Sequence, residues 1–263
     1  QGLAYGQYTS PHIYAIQERV RVDGVQISGH ELVRAFEMVE SARGSIFLTY
    51  FEFLTLAAFV IFERRDLELW ILEIGLGGRL DAVNIVDPSV SIITSIGLDH
   101  QPFLGDDIES IAREKAGVMR KAIPTLTAAT NVRDVLEAEA LRYKAQLVWL
   151  DTALKNGKLN ISASGEQIDL SGMQLPRDSV ALACLAFGCL GYTVTQAIEK
   201  PLSRLTLPGR LSRYRVSGRS WIMDVGHNPS ACKFVTDTLA HSIPEDRRVV
   251  VFGALADKDV DSM

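Results

Sequence analysis

Short runs of apolar, β-branched residues alternate with helical segments along most of this chain. Residues 67–74, 90–96 and 122–127 are predicted strands, and the first two resemble strands that are covered on both faces. Apolar residues at helical spacing predict helices over 31–42, 50–63, 106–120 and 131–144. Strands that alternate with helices in this way predict an α/β fold with a mostly parallel, doubly wound sheet.

The last part of the chain follows a Pro-Gly break in the sequence TLPGRLS at 206–212. The elements predicted around and after this break are a polar hairpin (158–170), an apolar helix (178–191), a strand (220–225), a helix (229–241) and a strand (248–253). We therefore expect a central domain over 1–207 and a smaller α/β domain over 208–263. The second has too few elements to close a sheet, and we expect it to be incomplete.

Composition and charge exclude several classes of partner. The chain has 263 residues and a formal net charge of −5, which does not favour nucleic acid or anionic membrane as a partner. Its longest apolar run, 54–62, is too short to cross a membrane and is a predicted core helix. Three cysteines without metal-ligand spacing suit a reducing cytoplasm.

The segment WILEIGLGGRLDAVN, residues 70–84, places Glu73 in a run that is otherwise apolar, directly before a glycine-rich loop. A buried carboxylate is costly without a partner, so we expect Glu73 to pair with a cation, a hydrogen-bond donor or a substrate. Leu80 stands where a dinucleotide-binding fingerprint requires glycine, which disfavours a nicotinamide-dependent oxidoreductase. The alternative for this loop is a tight turn whose glycines serve backbone geometry alone.

The next predicted strand also ends in polar residues, Asp99 and His100. Ligands of open α/β sheets bind at the carboxyl ends of the strands, so Glu73 and His100 are candidates to share a divalent cation. Mg²⁺ would need phosphate oxygens and water to complete such a mixed ligand set. The alternative for His100 is an ordinary loop histidine. The charges around Lys115, and the DKD sequence at 257–259, read as solvated surface when taken alone.

A third strand followed by polar residues lies in the C-terminal part, where IMDVGHNPSA spans 222–231. A carboxylate such as Asp224 can hold ribose hydroxyls, and His227 and Asn228 precede Pro229, which is suited to open a helix. Arg210 lies on the predicted linker, where a guanidinium could reach a nucleotide. An ordinary surface ion pair is the alternative for Arg210.

Taken together, these segments resemble the folylpolyglutamate synthase/dihydrofolate synthase family of Mur-type ATP-dependent amide ligases. The ordered set that carries the resemblance is YTSPHI with ERVRVDG (8–24), LTYFEFLTLAAF (48–59), LEIGLGGRLDAVNIV (72–86), TSIGLDH (94–100), IAREKAGV (111–118), LPGR (207–210), DVGHNPSA (224–231) and DKD (257–259). Each motif is short, but their order along nearly the whole chain is specific.

The resemblance implies a Mur ligase-like, P-loop-type ATPase domain followed by a Rossmann-like C-terminal domain. It implies a reaction in which ATP phosphorylates a pteroate or folate carboxylate and L-glutamate then forms the amide. The family's site residues, transferred to the matching positions of this sequence, make Glu73, His100 and Lys115 the catalytic and Mg²⁺-binding residues. Lys115 would bind the ion after its amine has been converted to a carbamate. Arg210, Asp224, His227 and Asn228 would bind ATP, and Phe51, Arg79, Asp81 and Ala82 would line the pterin pocket.

Two departures from the family pattern accompany the resemblance. The phosphate loop G-T-x-G-K-G-[ST] should lie shortly before YTSPHI and is not in this sequence, so we expect it to precede Gln1 in the complete protein. The sequence RDSVALA at 177–183 has Asp178 where relatives carry an adenine-contacting asparagine, and that contact is left open.

Other functions remain as alternatives. One is another Mur-type ligase that joins a different acid to a different amino acid. Another is a catalytically silent module that binds folate or a nucleotide. For the favoured ligase we expect small-molecule substrates only, no nucleic acid or membrane partner, and a monomer. Whether the product is dihydrofolate, polyglutamylated folate or both is not fixed by these motifs.

Overall fold

The computed structural model describes residues 2–161, 165–240, 243, 248–254 and 260, without the side chain of residue 230. The chain divides into two compact units, Gln1–Asp87 and Pro88–Met263. Each unit has its own hydrogen-bonded sheets, so the strands predicted at 67–74 and 90–96 lie in separate sheets rather than in one. The DKD sequence at 257–259 lies outside the described residues.

The first unit is a small mixed sheet packed against two helices. Its elements are β1 (Tyr5–Tyr8), β2 (Val20–Val22), β3 (Val25–Gln26), α1 (Gly29–Arg43), α2 (Tyr50–Glu63) and β4 (Leu69–Leu72). The strand order is β3-β2-β1-β4, with β1 and β4 parallel and the other pairs antiparallel. Both helices were predicted, and β4 lies within the predicted strand, whereas β1, β2 and β3 were not recognised in the sequence.

Helix α2 contributes more buried apolar residues to the first unit's core than any other element. Thr49 and Glu52 form a reciprocal capping box at its start, which satisfies amides that the helix itself leaves unpaired. Its buried face packs on β1 so closely that a Cβ atom at Gly6 would lie 2.7 Å from the Phe62 ring. The apolar run 54–62 is therefore a core helix, as expected. No helix among the described residues is both long enough and apolar enough to cross a membrane.

The second unit contains a parallel three-stranded sheet, β5-β6-β7, with helices between its strands. Its elements are β5 (Ser91–Ile93), α3 (Gln101–Leu104), α4 (Ile108–Ala116), β6 (Pro124–Thr127), α5 (Arg133–Tyr143), β7 (Gln146–Trp149), α6 (Leu150–Ala153), β8 (Leu154–Lys155), β9 (Lys158–Ile161), β10 (Glu166–Asp169), α7 (Arg177–Cys189), α8 (Glu199–Ser203), β11 (Ser212–Val216), β12 (Arg219–Met223) and α9 (Pro229–Ala240). The parallel sheet confirms the α/β class predicted from the sequence.

Two expectations about strands are wrong. Neither β4 nor β5 is covered on both faces, because Ile71 is 43% and Ile92 is 42% exposed. The strand predicted at 248–253 is absent, since described residues 248–254 have no regular structure and Val249 is 92% exposed. A strand needs a neighbour to satisfy its backbone groups, and this segment pairs with no strand among the described residues.

Candidate functional site

Glu73 lies directly after β4 and is held by the loop that follows β1. Its amide donates to the Tyr8 carbonyl at 2.9 Å, and its Oε2 accepts from the Ser10 amide at 2.7 Å. The residue is exposed, so the expectation of a buried carboxylate is wrong. The reason is that β4 is the last strand of its sheet and is only partly covered. Glu73 is an oriented carboxylate at a strand end.

The loop that contacts Glu73 is itself ordered by Glu18. The Glu18 carboxylate accepts from the amides of Ile13, Tyr14 and Ala15 at 2.8 to 2.9 Å. These bonds, that from Ile13 first, hold the pKa of Glu18 below its usual value. Glu18 thus orders the segment that begins at the last residue of the YTSPHI motif, a role that the sequence did not reveal.

Asp81 organises the glycine-rich loop after Glu73. Its Oδ2 accepts from the amides of Gly75 and Leu76 at 3.0 and 2.9 Å, and its Oδ1 accepts from the Val83 amide at 2.9 Å. The aspartate therefore closes the loop and caps the short 3₁₀ helix Ala82–Ile85. The loop is therefore a tight turn that three hydrogen bonds to Asp81 hold together.

The ring of Phe51 lies directly on this loop. A Cβ atom at Gly75 would be 2.5 Å from the Phe51 Cζ, so the ring can lie this close only because residue 75 is glycine. The structure thus brings the Phe51 ring to the loop that Asp81 closes, while the pterin-pocket role of Phe51, Asp81 and Ala82 stays a prediction. Arg79 is exposed on the same loop, and its carbonyl accepts from the Asn84 side chain at 3.4 Å.

Replacing Asp81 by alanine should destabilise the first unit by about 2 kcal/mol, because the partly buried Leu76 and buried Val83 amides would lose their acceptor. Urea unfolding monitored by circular dichroism measures this change. Asp66→Ala is the matched control, since Asp66 is an exposed aspartate without a described partner. Equal stability of the two variants would contradict the role assigned to Asp81.

In the second unit, Asp99 and His100 lie on the loop between β5 and α3. His100 has a left-handed backbone, with φ of 54°, and its amide donates to Asp99 Oδ1 at 2.9 Å. The His100 side chain is 42% exposed, whereas that of Asp99 is only 23% exposed. The sequence reasoning gave Asp99 no role of its own, although its place directly before His100 was an available signal.

Lys115 lies at the end of α4, whose start is capped by Asp107 through the Ser110 amide at 2.7 Å. Burial lowers the pKa of the Lys115 ammonium, and the negative charge of Asp99 partly opposes this shift. Lys115 is therefore not part of a solvated surface, although its residue type alone had suggested this. Lys115 is a half-buried amine that is influenced by the negative charge of Asp99.

Asp224 connects two segments of the C-terminal part. It follows β12, and its Oδ2 accepts from the Leu211 amide at 2.9 Å while its Oδ1 accepts from the Gly226 amide at 2.7 Å. The neighbouring Arg210 is exposed, with its amide bonded to the Leu207 carbonyl at 3.0 Å. The structure thus brings the Arg210 backbone and Asp224 together, two of the four candidate ATP residues.

The other two candidates, His227 and Asn228, face Asp99. The His227 Nε2 is 3.8 Å from Asp99 Oδ2, and the Asn228 Nδ2 donates to the same oxygen at 3.4 Å. The Asn228 Oδ1 accepts from the Ala231 amide at 2.9 Å, so Asn228 also caps α9, with Pro229 in its first turn as predicted. Asp99 is therefore where the loop carrying His100 meets the loop carrying His227.

The metal site expected from the sequence stays a prediction. Glu73 belongs to the first unit, and His100 and Lys115 belong to the second. Within the described residues, no group of three or more His, Cys, Asp or Glu side chains could hold a metal ion by itself. The donor chemistry fits Mg²⁺ in part, because an exposed carboxylate and an exposed imidazole leave positions for phosphate oxygens and water.

Comparison with known proteins connects this geometry to a family. A family profile described as Mur ligase, glutamate ligase domain, matches residues 209–263. The chain is 39% identical over 266 residues to the dihydrofolate synthase/folylpolyglutamate synthase of Escherichia coli strain K12, covering 98% of this chain and 63% of that protein. The Bacillus subtilis strain 168 protein of the same name is 31% identical over 293 residues, covering 100% of this chain and 67% of the relative.

A solved structure has the same fold. It is a bifunctional folylpolyglutamate synthase/dihydrofolate synthase with Mn, AMPPNP and L-glutamate bound, and it matches with a TM-score of 0.84 at 39% identity. The match covers 99% of this chain and 65% of that one. The chain thus spans somewhat less than two thirds of the length of the E. coli relative. Fold, ordered motifs and sequence identity agree, and the chain belongs to the dihydrofolate synthase/folylpolyglutamate synthase family of Mur-type ligases.

Proposed function

We propose that the complete protein is an ATP- and Mg²⁺-dependent ligase that adds L-glutamate to dihydropteroate, to a reduced folate, or to both. The observation that carries this proposal is the 39% identity to the E. coli relative along 98% of the chain. The name of that relative gives both activities. The Mn, AMPPNP and L-glutamate bound to the solved relative support the assignment of a divalent cation, a nucleotide and the amino acid.

The reaction needs activation of a carboxylate, because its oxide is a poor leaving group. A carboxylate oxygen of the pteroate or folate attacks the γ-phosphorus of ATP, and ADP leaves. The amine of L-glutamate then attacks the carbonyl carbon of the acyl phosphate, and phosphate leaves as the amide forms and the nitrogen loses a proton. Catalysis of this kind depends on positioning and charge neutralisation.

We assign the residues to this reaction in three groups. Glu73, His100 and carbamylated Lys115 would hold Mg²⁺, which when bound neutralises charge on the transferred phosphoryl group. Phe51, Arg79, Asp81 and Ala82 would line the pterin pocket, in keeping with the Phe51 ring on the Asp81 loop. Arg210, Asp224, His227 and Asn228 would bind the nucleotide.

The Asp224 oxygens each accept one amide, which leaves the carboxylate capacity for a ribose hydroxyl. The proposed domain division, 1–207 for ATP, Mg²⁺ and pteroate and 208–263 for glutamate ligation, is supported by the glutamate ligase profile over 209–263. We further propose that the protein acts in the cytoplasm as a monomer without nucleic acid or membrane partners, in keeping with its acidic charge.

The test is to incubate the complete protein with ATP, Mg²⁺, L-glutamate and either dihydropteroate or tetrahydrofolate. Phosphate release and a mass gain of one glutamyl residue are measured in each mixture. Turnover with one acceptor or with both separates the two named activities. Absence of product with both acceptors would contradict the proposed function and favour a silent binding module or a Mur-type ligase for another acid.

A further inference from the structure

Asp99 connects two loops that lie far apart in the sequence. The first is the loop after β5, which also carries His100. The second is the loop after β12, which carries Asp224, His227 and Asn228. The Asn228 side chain reaches Asp99 Oδ2 at 3.4 Å across 129 residues of sequence. No described strand of one loop's sheet pairs with a strand of the other's, so side-chain contacts such as this one connect the two loops.

The two oxygens of Asp99 have different tasks. Oδ1 accepts from the His100 amide at 2.9 Å, which keeps the carboxylate fixed to its own loop. Oδ2 faces the other loop, with the Asn228 amide nitrogen at 3.4 Å and the His227 imidazole at 3.8 Å. One oxygen of the carboxylate thus contacts its own loop, and the other faces a loop that is distant in the sequence.

The two polar atoms of the Asn228 side chain also contact different parts of the chain. Its Oδ1 accepts from the Ala231 amide at 2.9 Å, which fixes the side chain as the cap of α9. Its Nδ2 is then directed towards Asp99. Because both side chains are fixed on their own loops, a change in the Asp99–Asn228 contact changes the position of the loops themselves. The 3.4 Å distance is long for an N–H···O bond, which leaves room for it to shorten when a ligand is bound.

We propose that Asp99 is a positioning residue that holds the His100 loop and the 224–228 loop in register for nucleotide binding, through its contact with Asn228. The inference rests on the proposed function, since it assigns the two loops to one Mg²⁺–nucleotide site. Asp99 acts through its neighbours and touches no reacting atom.

The simpler explanation is that Asp99 only orders its own loop by accepting from the His100 amide. The two explanations differ in what Asp99→Asn should do. Asparagine keeps an oxygen for the His100 amide, so a purely local hydrogen-bonding role predicts little change. It also places an amide group opposite the Asn228 amide group, so the proposed role predicts a loss. A loss caused only by removing the Asp99 charge that acts on Lys115 would persist in a variant that exchanges residues 99 and 228.

The experiment compares Asp99→Asn, Asn228→Asp and the double variant that exchanges the two residues. In Asp99→Asn two NH₂ groups face each other at this contact. In Asn228→Asp two carboxylates face each other. The exchange restores one donor and one acceptor, and aspartate at 228 still caps α9. We expect each single variant to lower kcat/KM for ATP by about 10- to 100-fold, the range for a lost hydrogen bond to a charged group.

The exchange should recover at least about 10-fold of this loss, since contacting residues are strongly non-additive. We also expect KM to rise more for ATP than for L-glutamate, which a general loss of folded protein would not produce. The matched control is Asp106→Asn, which makes the same chemical change at an exposed position without a described side-chain partner. That variant should stay within about 2-fold of the wild type, as for surface substitutions in general.

Two results would overturn the inference in an active wild-type enzyme. One is a single Asp99→Asn variant within about 3-fold of the wild type, less than the loss of one charged hydrogen bond. The other is an exchange no more active than the single variants. An inactive wild-type protein would instead count against the proposed function, so the two failures are distinguishable.

Discussion

Glu73→Gln in the complete protein should lower ATP-dependent glutamate addition by at least about 1,000-fold, the effect of losing several kcal/mol of metal-based charge stabilisation. Glutamine has nearly the same size and keeps an oxygen for the Ser10 amide, which bonds Glu73 at 2.7 Å. The loop after β1 should therefore stay in place while the charge that Mg²⁺ needs is lost. Phosphate release at saturating ATP measures the effect, and thermal unfolding checks that the fold is intact.

The chain offers a close control for this change. Glu68 lies just before β4 as Glu73 lies just after it, and Glu68 Oε2 also accepts a backbone amide, that of Ala4 at 3.1 Å. Glu68→Gln makes the same substitution in a similar hydrogen bond without touching the proposed metal site. It should leave turnover near the wild-type rate. Near-normal turnover of Glu73→Gln would refute the metal role.

Lys115→Ala should lower turnover by about 100- to 1,000-fold, and short carboxylic acids should restore part of it. A lysine ammonium cannot bind Mg²⁺, whereas a carbamate formed from the neutral amine and CO₂ has an anionic oxygen that can. Alanine leaves space in a half-buried position, where a small carboxylate can supply the missing oxygen. The size of the loss is that of removing one preorganised charged group from a catalytic site.

Turnover with added formate, acetate and propionate measures the rescue. Lys121→Ala is the control, because Lys121 is exposed in the turn between α4 and β6 and has no described partner. It should retain activity and gain nothing from the added acids. Loss of activity in Lys115→Ala without any rescue, together with an unmodified amine in a high-resolution structure at neutral pH, would contradict carbamylation.

Much of the fold follows from local sequence pattern. Helices α1 and α2 and strands β5 and β6 were predicted because their apolar runs are strong and nearly continuous, whereas β7 (Gln146–Trp149) was not recognised. Strand β1, of sequence YGQY, was missed because it is short and half polar, and its partner β4 lies more than 60 residues away. Pairing over such a distance leaves no periodic signal in either segment.

The sequence marked the polar loops of the candidate site but not the contacts between them. Apolar runs followed by Glu73, Asp99 or Asp224 marked the three polar loops. Glu73 and Asp224 directly follow β4 and β12, whereas β5 ends at Ile93, well before Asp99. The exposure of Glu73 was not predictable, because a central strand and an edge strand such as β4 can have the same apolar sequence pattern. The contact between Asp99 and Asn228 was also out of reach, because only folding brings the two loops together.

The placement of the Phe51 ring against Gly75 has an evolutionary consequence. A side chain at position 75 would overlap the ring, with its first carbon 2.5 Å from the ring carbon. Substitution at 75 therefore requires either that the Phe51 ring moves away or that residue 51 becomes smaller. Positions 51 and 75 should therefore covary among homologues, with glycine at 75 wherever residue 51 is aromatic.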